Sequence, residues 1–288
     1  TLYGSDALGG AIHMISKKPV LSSTGNKTFV QTNAFTRYSS VNNENTIHGD
    51  INIGTKKFAS LSSITYSNFG DVKIGKNDKK GFENFGTRPY YIQPYAANTP
   101  YDTILPNQNN RIQKYSGYSQ LDFTQKFLYQ SSEHVNHMFN VQLSSSSNVP
   151  RYDRLQDIKN GVLRYASWYY GPQERKLISY QLNIKSNEGP FDEYKATASY
   201  QDIEESRHSR SFASTVLKNR IEKVKVVSIN ADFIKKYRKN EFTYGGEVTY
   251  NKVNSTANAE DIITGSKSSL DTRYPDGGSR THSIAVYG

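Results

Sequence analysis

The chain of 288 residues contains no cysteine, so it offers neither disulfides nor thiolate metal ligands. It also lacks any run approaching the roughly eighteen apolar residues that a membrane-spanning helix requires. Hydrophobic residues make up only 35% of the chain, yet 12% of residues are aromatic. A disordered chain of this polarity would be poor in aromatic residues. The composition therefore indicates a folded protein that is neither a helical membrane protein nor a cysteine-based metal site.

The charge is strongly positive, with a formal net charge of +10. Lys and Arg are scattered over the whole chain and form no basic helix or tract, so we expect no nucleic-acid partner. Residues 1–6 include no initiator Met and no apolar core of a signal peptide. Because the last residues read as the middle of a strand, we expect the chain to be a fragment of a longer protein.

Period-two alternation is the main structural signal, because successive side chains of a strand point to opposite faces. In 241–251, Phe242, Tyr244 and Val248 share one parity, whereas Glu241 and Glu247 share the other. The same alternation recurs at 47–53, 121–127, 139–144, 178–185, 194–201 and 226–233. Residues 27–40 and 58–69 are more mixed but also predict strands. The pattern predicts an all-β fold.

A water-soluble β-sandwich also alternates, so two further details decide between the architectures. The apolar parity is bracketed by aromatic residues near strand ends, as in Tyr194 and Tyr200, which resembles the aromatic girdles of membrane barrels. Charges on that parity, such as Lys225 and Lys235, also lie near strand ends, where a bilayer tolerates them. Both details favour a transmembrane β-barrel.

The lengths of the predicted connections support the same choice. Short connections at 55–57, 130–133, 186–192 and 236–240 alternate with long ones at 70–112, 148–174, 206–219 and 254–280. Outer-membrane barrels have short periplasmic turns and long extracellular loops, whereas a sandwich has no reason to sort its loops in this way. We predict a partial antiparallel transmembrane barrel.

The opening segment interrupts the alternation with a glycine-rich motif. It reads Leu-Tyr-Gly-Ser-Asp-Ala-Leu-Gly-Gly-Ala-Ile-His-Met-Ile-Ser-Lys-Lys-Pro, and 11–16 within it reads as one buried strand ended by Pro19. This motif resembles the end of the plug domain in TonB-dependent outer-membrane receptors. The matching plug-motif residues include Tyr3, Gly4, Ser5, Ala7, Gly9, Gly10 and Ile12. His13 and Ser16 depart from the Asn and Thr that the family commonly has there.

The resemblance extends into the loops at 149–155, 168–173 and 272–279, which are similar to those of Bacteroidetes-type members of the family. The segment after Tyr-Gly-Ser differs from the pattern of the polysaccharide-importing branch, which points away from glycans. The resemblance implies that residues 1–20 end a plug domain. It further implies that residues 21–288 form about ten strands of a barrel of about 22 strands with a plugged lumen.

The resemblance also implies active import across the outer membrane of a Gram-negative bacterium. A ferric siderophore or haem would bind outside, and the TonB–ExbB–ExbD complex would supply energy through the missing N-terminal region. Outer-membrane lipid and lipopolysaccharide would surround the barrel. No catalytic constellation and no resident metal or cofactor is predicted from the sequence. We therefore expect a transporter and not an enzyme.

Candidate ligand contacts lie in the long loops 70–112 and 148–174, because binding residues concentrate in loops. Aromatic faces stack on flat ligands, and Arg pairs with carboxylates. The candidates are Arg151, Tyr152, Arg154, Trp168, Tyr169, Tyr170, Arg88 and Tyr91. The alternative is that the Trp-Tyr-Tyr run packs the loop on itself or on the barrel rim.

Three other functions stay open at this point. The first is a cobalamin receptor of the same family, and the second is a passive porin-type or adhesin-type barrel without energy coupling. The third is a soluble β-rich binding module, for instance one that recognises carbohydrate. The glycine-rich opening segment argues against a porin, since porins lack an N-terminal plug.

Overall fold

A computed structural model describes residues 15–23, 27–75, 80–82, 85–93, 102–186 and 188–288. The strands are β1 (Phe29–Ser39), β2 (Glu44–Gly54), β3 (Phe58–Phe69), β4 (Val72–Lys73), β5 (Tyr90–Gln93), β6 (Thr103–Pro106), β7 (Ile112–Gln113), β8 (Tyr118–Ser132), β9 (Val135–Ser146), β10 (Val149–Pro150), β11 (Ile158–Lys159), β12 (Val162–Leu163), β13 (Tyr165–Tyr170), β14 (Glu174–Lys185), β15 (Glu193–Ser211), β16 (Val216–Tyr237), β17 (Asn240–Asp261), β18 (Lys267–Ser269) and β19 (Gly278–Tyr287). Two 3₁₀ turns lie at Arg154–Gln156 and Pro275–Gly277. In the described ranges no helix is long and apolar enough to cross a membrane.

Ten long strands form one antiparallel sheet in the order β1-β2-β3-β8-β9-β14-β15-β16-β17-β19. Each long strand is antiparallel to the next, so the sheet is a continuous meander. Within the described chain the sheet is open, because β1 pairs only with β2 and β19 only with β17. The prediction of an all-β fold with about ten antiparallel wall strands is confirmed.

One face of the sheet is apolar and exposed. Ile229 of β16 is 58% exposed, and Val248, opposite it on β17, is 53% exposed. Leu182 on β14 is half-buried. A soluble protein would bury such a continuous apolar face against a second layer. We call this face the outward face. In the described ranges no second sheet or helix layer covers it.

The opposite face, which we call the inward face, is polar and partly buried. Its buried side chains include Glu44, Thr46, Asn52, Lys126 and Asn140. Thr46 donates a hydrogen bond of 2.7 Å from its hydroxyl to Glu44 Oε1. Buried polar groups require such hydrogen-bond partners. Among the described residues, more polar than apolar side chains are buried. The distribution is inverted relative to a soluble sandwich, as expected when the inward face borders a wet interior.

Aromatic side chains mark two levels on the outward face. Towards one end, Tyr194, Phe233 and Tyr244 stack across three strands with centroid distances of 4.8 and 5.0 Å. Towards the other, Tyr250 lies 4.8 Å from the ring of His282. Phe242, the next outward residue of β17 beyond Tyr244, belongs to the first level, and Phe242–Tyr250 spans nine residues, within the 9–11 that a tilted strand needs to cross a bilayer.

The long connections all lie at one end of the sheet, as the sequence predicts, although that end also has the short turns 40–43 and 212–215. Short turns at 55–57, 133–134, 186–192 and 238–239 define what we call the short-turn end. At the opposite end, which we call the long-loop end, lie the long connections 70–117, 147–173 and 262–277.

The loop prediction at 206–219 is wrong. β15 and β16 remain paired up to Arg210 opposite Leu217, so only 212–215 form a turn. A segment with polar side chains on both faces has no apolar alternation, so the sequence predicts a loop. In the structure, backbone pairing nevertheless continues beyond the level where lipid would end. β16 and β17 each have 22 residues, about twice the length that a membrane needs. Their ends therefore project as a ribbon from the long-loop end.

The N-terminal segment, residues 15–22, lies on the inward face of the sheet. The Asn52 side chain makes two hydrogen bonds to the backbone of this segment. Val20 N–H donates to Asn52 Oδ1 at 2.8 Å, and Asn52 Nδ2 donates to Val20 O at 3.0 Å. The Lys126 ammonium donates to Ser16 Oγ and to the Lys17 carbonyl at 2.6 and 2.7 Å. The segment is thus fixed to the wall by backbone contacts. The predicted strand at 11–16 lies largely outside the described residues.

Gly54 permits this close approach, and its replacement tests the contact. A Cβ at Gly54 would lie 2.2 Å from Val20 O, whereas a Cβ at Gly49 of the same strand meets nothing within 4 Å. We expect Gly54→Ala to lower the free energy of unfolding of the intact protein by about 1–3 kcal/mol and to expose 15–22 to protease. Gly49→Ala should stay within about 0.5 kcal/mol. Equal unfolding curves for both variants would contradict the contact.

Candidate functional site

The loop between β9 and β14 folds back onto the projecting ribbon. β13 pairs with the end of β15, which places Trp168 opposite Ser209 and Tyr169 opposite His208. β10 then pairs with β13. β13 thereby takes the position beside β15 that β14 occupies up to Glu174. The Trp-Tyr-Tyr run is therefore held in a rigid sheet.

Three chain segments share a small apolar core at the long-loop end. Ile92, Leu163 and Ala166 are buried together, and Ile104 and Phe212 pack against them. These residues come from the 70–117 loop, the 147–173 loop and the turn between β15 and β16. Because one core joins all three, the loops form a single unit in the described structure.

A buried ion pair strengthens the same junction. Arg210 Nη1 donates to Asp102 Oδ2 at 2.8 Å, and the two side chains are only 7% and 1% exposed. The Ala213 N–H donates to the same carboxylate at 2.9 Å, and Arg210 also donates to the Ser214 carbonyl at 2.7 Å. The pair ties the first long loop to the β15–β16 turn.

A cavity of about 260 Å³ opens between the two long loops. Its lining is mainly apolar and aromatic, with one ammonium group; it includes Tyr91, Tyr115, Tyr165, Trp168, Tyr169 and Lys114. Tyr91 and Tyr115 meet edge to face with ring centroids 5.7 Å apart. The cavity is slightly smaller than sites that enclose a whole drug-sized ligand. It has room for one or two rings of a larger molecule.

The predicted ligand residues are distributed unevenly around this cavity. Tyr91, Trp168 and Tyr169 line it. Arg151 and Tyr170 lie behind Trp168, because the Arg151 guanidinium stands 4.8 Å from the Trp168 ring centroid and donates to Tyr170 Oη at 3.3 Å. These two residues position the Trp168 ring instead of facing the cavity.

The remaining candidates lie outside the cavity. Arg154 pairs with Asp157 at 3.2 Å within the same 3₁₀ turn. Tyr152 is exposed. Arg88 is half-buried in the first loop, where burial lowers the pKa of its guanidinium and the nearby Tyr152 opposes that shift. Ligand contact by any of these residues stays a prediction.

Electrostatics within the site follow from burial. Burial raises the pKa of the Tyr169 phenol, and the carboxylate of Glu260 raises it further. The Tyr169 ring stacks on His208 with centroids 4.7 Å apart. Burial also raises the pKa of the Tyr115 phenol. Both phenols therefore stay neutral near pH 7 and act as hydrogen-bonding aromatic surfaces.

Sequence reasoning missed Lys114, Tyr115 and Tyr165. Tyr165 belongs to the predicted loop 148–174 and begins the strand that carries Trp168, whereas Lys114 and Tyr115 lie just beyond the predicted end of the first long loop at 112. Their aromatic or cationic character was the available signal, but only the fold brings them to one cavity. The plug-motif residues Tyr3, Gly4, Ser5, Ala7, Gly9, Gly10 and Ile12 lie outside the described residues.

The arrangement suits binding and offers no evident chemistry. In the described part of the chain no group of three His, Cys, Asp or Glu side chains is placed to hold a metal ion. An aromatic cavity with one ammonium group instead matches a flat ring that carries negative charge.

Comparison with known proteins places the fold. No protein-family model matches the sequence, and no curated protein is similar to it. Among solved structures, the chain is similar to one described as "Copper transporter OprC", with a TM-score of 0.62 and 8% sequence identity. The match covers 94% of this chain and 35% of that chain, so this chain spans about a third of its length. At this identity the similarity shows the fold.

Proposed function

We propose that this chain is part of an active-transport receptor in the outer membrane of a Gram-negative bacterium. The main support is a distribution of polarity opposite to that of a soluble protein. Ile229 and Val248 are exposed on the outward face, and Asn52 and Lys126 are buried on the inward face. This distribution suits a barrel wall between lipid and a filled lumen. The all-β fold and the fold similarity to a transporter fit that membrane.

The domain organisation follows from the same proposal. Residues 1–20 are the end of a plug domain, and 21–288 are the first part of the barrel. The contacts of Val20 and Lys17 with the inward face support it, because a plug must run into the wall from inside the lumen. The long-loop end is then extracellular, and the short-turn end is periplasmic.

The proposed substrate is a ferric siderophore, with haem as the second choice. The cavity between the loops supports it, since about 260 Å³ of aromatic lining accepts an aryl group of an iron chelate but not a whole haem. Tyr91, Trp168 and Tyr169 provide stacking surfaces, and Lys114 attracts the negative charge of such a chelate. TonB, with ExbB and ExbD, supplies the energy. A Bacteroidetes-type receptor remains the proposed branch.

Radiolabelled iron uptake tests the proposal in cells that express the intact receptor. We expect uptake of an iron-loaded catecholate siderophore that stops when a protonophore collapses the proton gradient; a passive porin would continue to transport. Haem, cobalamin and copper, the last named for the OprC structure, are compared in parallel. Uptake of none of the iron complexes, or uptake that ignores the protonophore, would refute the proposal.

Replacement of one cavity residue locates the binding site. We expect Tyr91→Ala to weaken siderophore binding by about three- to tenfold, the usual contribution of one aromatic contact. Tyr38→Ala is the matched control, because Tyr38 is exposed at the end of β1 and does not line the cavity. Equilibrium binding to the purified receptor measures both variants. Equal losses would place the ligand elsewhere.

A further inference from the structure

A row of basic side chains crosses the outward face just beyond the aromatic level of Tyr200 and Tyr250. Strand pairing sets Lys176 opposite Asp202, Asp202 opposite Lys225, Lys225 opposite Lys252 and Lys252 opposite Arg280. These five residues lie on five neighbouring strands at one level of the sheet. We call them the basic row; it contains four cations and one carboxylate.

The basic row belongs to the face that would contact lipid. Lys225 has the same parity as Val227 and Ile229, both exposed on the outward face. The next level towards the short-turn end holds Tyr200, Val227, Tyr250 and His282. The cations therefore lie about 7 Å along the strands beyond this aromatic level, two residues at 3.3 to 3.4 Å each. Lipid headgroups occupy that level, because aromatic side chains mark the membrane–water interface.

Most of the positive charge in the row is uncompensated. In the described part of the chain, no ion pair includes Lys225, Lys252 or Arg280. Asp202, the one carboxylate, accepts a hydrogen bond from Tyr200 Oη at 3.3 Å. Lys176 has only an exposed contact of 3.6 Å with Glu174. The charge is thus available to an anion from outside the chain.

A polar recess lies within the row. It has a volume of about 450 Å³, and Lys252, Asn254 and Arg280 contribute to its lining. Lys252 and Arg280 face each other across β17 and β19, so their two cationic groups border the same recess. An amide and two cations around one recess are the donors that a phosphate group requires.

We propose that the basic row binds the phosphate groups of a lipid in the outer leaflet. The inference rests on the proposed function, since that function places the long-loop end outside the cell. Basic residues at a membrane surface attract anionic headgroups, and each Lys or Arg strengthens the attraction. The recess between Lys252 and Arg280 holds one phosphate, and Lys225 contacts a second one. The lipid thereby holds the projecting ribbon upright at the membrane surface.

Lipid binding to the intact receptor in detergent micelles tests the proposal. The probes are diphosphoryl lipid A, the same lipid without phosphates, and inorganic phosphate. We expect Lys225→Gln, Lys252→Gln and Arg280→Gln together to weaken binding of diphosphoryl lipid A on the order of 100-fold, about fivefold per cation. The lipid without phosphates should bind the unaltered receptor about as weakly as the diphosphoryl lipid binds the triple variant.

The matched control removes three cations at the short-turn end, by Lys236→Gln, Arg238→Gln and Lys239→Gln. Its affinity for diphosphoryl lipid A should equal that of the unaltered receptor. Lys252→Gln alone, with an expected fivefold loss, gives the same answer if the triple variant does not fold. Unchanged affinity of the triple variant, or inorganic phosphate bound as tightly as the lipid, would overturn the proposal. Siderophore uptake is measured separately with the same variants. If the unaltered receptor takes up no siderophore, only the proposed function is refuted.

Discussion

Replacing Ile229 by Arg is expected to lower the free energy of unfolding of the intact receptor in lipid by about 2–4 kcal/mol. Ile229 lies between the two aromatic levels, two residues from Val227 at one level and four from Phe233 at the other, and its side chain is directed outward. If this face contacts lipid, an Arg here must be buried in the hydrocarbon layer of the bilayer. If the protein were soluble, the same side chain would be on a wet surface, and the change would cost no more than about 0.5 kcal/mol.

Two Arg substitutions on the same strand serve as controls for Ile229→Arg. Val227→Arg is also outward but lies at the aromatic level, where the cost falls to about 0–1 kcal/mol. Asn230→Arg turns to the inward face, where Asn230 lines a cavity of about 1050 Å³. Urea titration of the receptor folded into liposomes measures all three. Equal stabilities for the three variants would show that no bilayer contacts the outward face.

The wall could be predicted from the sequence because its physics is local. Each strand places alternate residues on opposite faces, so Val227 and Ile229 share a face whatever their partners are. A membrane then selects the apolar parity for the outside. The same reasoning placed Lys225 and Lys235 near strand ends. Lys235 does lie near the end of β16, 2.8 Å from Asp192 of the short turn. Lys225 lies in mid-strand, because β16 continues beyond it as the ribbon, so that part of the prediction is wrong.

The projecting ribbon could not be predicted in this way. At 206–219 polar and charged residues occupy both parities, because neither face of the ribbon is turned to lipid. Strand pairing there depends on the partner strand across the turn, such as Ser206 opposite Ile221. Without an apolar side, alternation carries no signal, and the segment reads as a loop. The wall strands keep an apolar side, so their alternation remains visible in the sequence.

The candidate site was only partly predictable for a different reason. Its residue types, aromatic and basic, were visible in both long loops. Their assembly depends on pairs distant in sequence, such as Tyr91 with Trp168 around the cavity. The buried ion pair of Asp102 with Arg210, which also joins the loops, connects residues 108 positions apart. Neither residue has a local pattern that identifies its partner.

That ion pair is expected to have the largest effect in the molecule. Arg210→Ala would leave the Asp102 carboxylate buried, with the Ala213 N–H as its remaining partner. Removing one partner of a buried pair typically costs about 3–5 kcal/mol. Since the pair joins the first long loop to the β15–β16 turn, we expect the loss to appear as local opening of 88–93 and 102–106. Hydrogen exchange of that loop in the intact receptor should rise by two orders of magnitude or more, which corresponds to about 3 kcal/mol.

Two further variants separate the buried charge from other effects of Arg210→Ala. Arg154→Ala removes an ion pair with Asp157 that is largely exposed, and such pairs contribute only about 0–1 kcal/mol. Arg210→Ala combined with Asp102→Ala removes both charges and should recover part of the lost protection, because no carboxylate is then left without its cation. If the double variant opened more than Arg210→Ala alone, the effect would come from lost packing. The loops would then be held together by the core of Ile92, Leu163 and Ala166.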